Sequence, residues 1–156
     1  MTQNPVVEAV ADQFHRSLLM MENAVRAYPS EEWRRGDLAY LRPAGLAYHL
    51  VDTLDFYTCD TPPEAYRGKP LCPDWETAAD EELPTQAQVL DYLAEMKARL
   101  AAWLETTDLL APDTARPWTG PNTLGRALYL LRHNQHHISE LYIELTRRGL
   151  SCPEWE

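Results

Sequence analysis

No stretch of this chain approaches the roughly 20 consecutive apolar residues that a bilayer span requires. The N-terminus MTQNPVVEAV has neither the basic start nor the unbroken apolar run of a secretion signal. Positive charge is scarce as well: 14 Lys and Arg stand against 24 Asp and Glu, a formal net charge of −10. No basic stripe gathers those few cations, so a phosphate backbone would be repelled. Cysteine is sparse and odd in number, and Cys59, Cys72 and Cys152 form no CxxC pair. That excludes a closed cysteine metal site, and reduced thiols in a cytosol are the simplest account. Alternating strand patterns and internal repeats are missing too. These absences leave a soluble cytoplasmic protein with no membrane and no nucleic-acid partner. Its residues 1–156 suit one domain, which at this size buries about 68–70% of its unfolded surface and needs no metal merely to fold.

What is present is helical periodicity. Val7, Val10, Phe14, Leu18, Met21 and Val25 recur at three- and four-residue steps from Pro5 to Tyr28, and Pro29 stops the run. A second helix is expected from Pro43, a favoured first-turn residue, to Thr58, with Leu46, Leu50, Leu54 and Tyr57 inward. A third opens at Thr85 with Gln88 placed for a capping box and carries Val89 to Leu104. A fourth begins near Asn122 or Thr123 and ends at Gly149. Four amphipathic helices make an all-α four-helix bundle. The connection between helices 2 and 3, Cys59 to Pro84, is the longest. It is long enough to return along a 16-residue helix of roughly 24 Å, which predicts up-down-down-up topology with a helix 2–helix 3 crossing. Trp75 to Glu82 reads as a short surface helix within it.

Three of the five histidines fall within "LLRHNQHHISEL", residues 130–141. Advancing about 100° per residue from Leu124 gathers Leu124, Ala127, Leu128, Leu131, Ile138, Leu141 and Leu145 on one face, with Asn134 pointing into it. His133 and His137 sit one turn apart on its margin and can aim at one point. His136 falls about 100° further round and cannot share that point. An i,i+4 histidine pair is a recurring way to offer two nitrogens to one cation. The third ligand must come from elsewhere, and His49 at the margin of helix 2 is the candidate, with Asp52 on its side to orient the ring. The plainer reading is also open: HxxxH pairs occur incidentally on helices, and Asp52 and Glu140 can be solvated or salt-bridged. His15, near the edge of helix 1's core face, reads as a partly buried structural residue.

The segments "LRPAGLAYHLVDTLDFY", "NTLGRALYLLRHNQHHISEL" and the terminal "RRGLSCPEWE" together resemble the DinB-like superfamily of metal-binding four-helix bundles. The resemblance extends over the whole chain in helix order and loop lengths. It implies up-down-down-up topology and one divalent cation, zinc, nickel, iron or manganese, held by His49, His133 and His137. His136 matches the adjacent histidine that is not the usual ligand. Ser139 stands where many relatives have glycine, which alters a helix contact and no ligand. Relatives include transferases and isomerases that use low-molecular-weight thiols such as bacillithiol, mycothiol or glutathione.

Three imidazoles leave a cation its full charge and an open position, the arrangement of a catalytic site. A metal-dependent thiol S-transferase or isomerase acting on small molecules is therefore the leading expectation. The alternatives are a metal-dependent hydrolase and a non-catalytic metal-binding or stress-associated protein. Tyr48, Tyr57, Trp118 and Asn134 are candidate pocket walls, with Asp52 and Glu140 behind the ligands, and no residue is assigned as general base. Tyr129, His136 and Ile143 form a stripe on the back of helix 4 and predict a homodimer interface, in keeping with the many dimers among these relatives.

Overall fold

The structure, a computed structural model, describes residues 4–68, 71–72 and 74–156. Its four α-helices are α1 (Pro5–Ala27), α2 (Pro43–Thr58), α3 (Gln86–Thr106) and α4 (Thr123–Arg147). Local chemistry sets their ends. The Asn4 side chain accepts from Val6 N at 3.0 Å before Pro5 opens α1. At α3, Thr85 Oγ1 accepts from Gln88 N at 3.2 Å and Gln88 Oε1 from Thr85 N at 2.9 Å, the reciprocal capping box. α4 starts on the Asn122 side chain and ends in a Schellman motif. There Gly149 at φ +67° lets its own N–H reach Thr146 O and the Leu150 N–H reach Leu145 O.

Contacts along the helices set their directions. α1 and α4 run together, since Ser17 meets Gln135 and Tyr142 donates to Met20 O. α3 opposes α1: Gln86, at its start, donates to the carbonyls of Val25 and Tyr28 at α1's end, while Lys97 pairs with Glu22. α4 opposes α2, with Tyr129 near its start on Tyr57 and His137 on His49. The directions are thus up, down, down, up. The crossing returns along α2, with Tyr66 against Asp52 and Trp75 against Gly45. Sandwiched by α3, α4 and this crossing, α2 is buried on most sides. Gly45 eases that approach, because a Cβ would lie 3.1 Å from the Trp75 carbonyl oxygen and 3.2 Å from its ring.

Three expectations need correction. Trp75 to Glu82 is not a helix: a turn spans 75–77, and a single 3-10 turn covers Asp80–Glu82. The buried Arg42 guanidinium takes the carbonyls of Ala78 (2.6 Å), Trp75 (3.1 Å) and Glu76 (3.4 Å), which a helix would have used internally. Leu128 does not join the core but is 49% exposed. The buried face of α4 is centred on Leu130, Asn134, Ile138, Leu141 and Leu145, because the helix packs between α1 and α2. His15 is exposed.

Candidate metal centre

His49 comes from the middle of α2, and His133 and His137 come from consecutive turns of α4. Their ring centroids lie 5.1 Å (His49–His133), 5.0 Å (His49–His137) and 4.7 Å (His133–His137) apart. One nitrogen from each lies within 4.8 Å of the others. All three rings are half-buried. Burial, reinforced by the two neighbouring imidazoles, pushes the His49 pKa down to about 3. Burial and then His137 lower that of His133 as well. His49 and His133 are therefore neutral at ordinary pH, the form in which imidazole binds a metal.

Hydrogen bonds on α4 orient two of the rings. His137 Nδ1 lies 2.6 Å from Glu140 Oε2, and His133 Nδ1 lies 3.4 Å from Asn134 Oδ1. With the Nδ1 protons on these acceptors, Nε2 of each ring keeps its lone pair. Carboxylate behind imidazole is the arrangement that fixes a ligand's tautomer and raises its basicity. Asn134 is fully buried and its Nδ2 has no partner, the kind of unsatisfied group that costs about 1–3 kcal/mol. Three imidazole nitrogen donors without a thiolate, one backed by a carboxylate, fit a divalent cation such as zinc or nickel.

The remaining expected residues divide. Asp52 Oδ1 accepts from the Tyr66 hydroxyl at 2.9 Å, so this carboxylate fastens the crossing to α2. Tyr48 is buried, and desolvation raises its pKa. Tyr57 Oη accepts from Trp118 Nε1 at 3.1 Å, and the half-exposed Trp118 also stacks on Phe56. Among the described residues Tyr57 is linked to the histidines by Tyr129, whose ring is 5.4 Å from Tyr57 and nearly parallel to His133 at 6.4 Å. Tyr129 thus departs from the stripe expected on the back of α4. It lies one turn before His133 and turns to the same side, leaving His136 and Ile143 (61% exposed) on the outside. His136 stands apart from the triad, as its angle on the helix requires, though with His137 and Glu140 it forms a second, more exposed donor group.

Sequence reasoning missed Trp75, which stacks on His49 at 4.8 Å and 25°. Trp75 lies in irregular chain, where no period announces a facing residue. The nearest signals were Arg42 and Gly45, one binding the crossing and the other making room for it. Also unforeseen is a groove of about 380 Å³ lined by Tyr129, Arg132, His133 and His136, which reaches the triad at His133.

No helix among the described residues is long and apolar enough to cross a membrane. A comparison with curated proteins yields no match. The sequence profile of the DinB superfamily, by contrast, matches residues 13–141, a span that takes in all three histidines and most of the bundle. With that match over most of its length, the chain belongs to the DinB superfamily.

Proposed function

We propose that the protein binds one divalent cation through His49, His133 and His137 and is an enzyme acting on small molecules, with transfer of a low-molecular-weight thiol to an electrophile as its reaction. One observation supports this above the others: imidazoles from two helices converge beside an open groove, with His49 and His133 held neutral by burial. A divalent cation held by three neutral ligands would keep its full charge, bind a thiol as its thiolate and lower the pKa of a bound water towards about 7. The chain's own residues prepare the rest. Glu140 holds the proton of His137 on Nδ1, so that Nε2 faces the triad. Trp75 covers one face of His49 and keeps water from it. Tyr129 and Arg132 flank the approach to His133. In the transfer, the thiol releases its proton, its sulfur bonds to the electrophilic carbon, and the leaving group departs with its electron pair.

A storage protein could manage with an enclosed site, whereas a groove against His133 favours turnover. The assay is conjugation of bacillithiol, mycothiol or glutathione to a chromogenic electrophile by metal-loaded protein. The expected result is thiol-dependent product that His49→Ala abolishes. Thiol-independent hydrolysis would replace the transferase with a hydrolase, and no turnover with any thiol rejects the transfer reaction. We further propose a homodimer through the back of α4, now resting on the exposed His136 and Ile143 without Tyr129. A monomer by light scattering at micromolar concentration rejects it.

A further inference from the structure

In a chain with net charge −10, cations are normally consumed by neighbouring acids. Arg16, Arg26, Arg42, Lys97, Arg99, Arg126, Arg147 and Arg148 each pair with a carboxylate. Among the described residues Arg132 pairs with none, nor do Arg34, Arg35, Arg67 and Arg116, but none of those four lies against the triad. The Arg132 guanidinium instead lies over the Tyr129 ring, 4.8 Å from the centroid, in the groove that reaches His133. Stacking restricts the guanidinium without using its N–H donors, and those donors match a carboxylate's two oxygens. The acid behind the triad, Glu140, is turned to His137 and His136. The groove therefore offers a restrained, unpaired cation beside an aromatic ring and one histidine of the triad.

We propose that Arg132 and Tyr129 form a recognition subsite for a carboxylate-bearing small molecule, placing the carboxylate on Arg132 and directing the rest of the ligand past His133 towards the triad. The subsite rests on the proposed function for what lies at its inner end, though not for its own affinity. Its carboxylate can belong to the thiol or to the electrophile, and two matched probe pairs separate these sources. Benzoate and benzamide share a planar ring and differ in charge. The thiols 3-mercaptopropionate and 2-mercaptoethanol differ chiefly in the carboxylate.

Binding is measured by titration of the intact protein, followed by ring NMR signals of Tyr129 and His133. In metal-stripped protein benzoate should bind about three- to tenfold more tightly than benzamide, as expected of a charge-assisted contact at a partly open site. Arg132→Gln should erase that preference and Arg132→Lys should keep part of it. Equal affinity for the two probes, or a preference that survives Arg132→Gln, overturns the proposal. With metal-loaded protein, a preference for 3-mercaptopropionate lost in Arg132→Gln assigns the carboxylate to the thiol, and its absence beside an intact benzoate preference assigns it to the electrophile. If metal loading tightens neither thiol, the thiol reading of the triad fails while the benzoate result still decides the subsite.

Discussion

The ends of α4 and its middle handle buried polarity in opposite ways. At the start, Asp113 Oδ2 meets Arg126 Nε at 2.6 Å while its Oδ1 accepts from the backbone of Ala115 and Arg116. At the end, the buried Glu144 is bound by Arg147 (3.0 Å) and Arg148 (3.1 Å), and Arg148 goes on to Glu32. Both clusters are closed, each charge facing an opposite one within the chain. In the middle, His49, His133 and His137 face one another, and burial together with the neighbouring rings makes His49 and His133 harder to protonate. A closed cluster explains itself as structure. An open one, with donor atoms converging on no partner of the chain, calls for a partner from outside.

The comparison breaks most visibly by opening a closed end. Glu144→Ala leaves Glu32 as the one carboxylate on the mostly buried Arg148 and should cost about 3 kcal/mol of stability, read by denaturant unfolding, while metal content stays at the wild-type level. Loss of metal without loss of stability would mean that the two clusters are not separate.

A smaller effect is expected at the start of α4. Burial alone would raise the Asp113 pKa, but Arg126 and the backbone N–H groups of Arg116 and Ala115 bring it below its ordinary 3.8. A carboxyl depressed in the folded state stabilises above the unfolded pKa of about 3.9, and that stabilisation is lost as pH falls through the folded value. Asp113→Asn should therefore cost about 2 kcal/mol at pH 7, with the deficit flat down to about pH 5 and shrinking below about pH 4. A deficit that persists unchanged at pH 3 contradicts the ion pair.

The smallest effect tests what surrounds the open cluster. Gly45→Ala removes a glycine from the first turn of α2, a gain in propensity of at most about 1 kcal/mol, but its methyl would press on Trp75. Stability should change little, Trp emission should shift as Trp75 leaves His49, and metal affinity should fall by about tenfold at most. Unaltered emission would show that Trp75 is not held by this contact.

How much of this was legible in the sequence follows from which forces are local. Pro43, the Thr85–Gln88 box and Gly149 act within one turn, so the helix ends agree with expectation within two residues. The His133–His137 pair was legible because a rigid 3.6-residue period leaves no other direction for i and i+4. The wheel erred where packing sets its centre: Leu128 was placed inward and Tyr129 outward, and the sides α1 and α2 occupy decided otherwise. Trp75 on His49 was illegible, since an irregular crossing is positioned by a distant guanidinium, Arg42, and by a missing methyl at Gly45.

The central claim is that the open cluster is one metal site, and elemental analysis of protein purified without added metal or a chelating tag tests it most directly. His49→Ala, His133→Ala and His137→Ala should each lose most of the bound cation, while His136→Ala, one position from His137, should retain it. Metal content unchanged in the first three, or lost only with His136, would contradict the account.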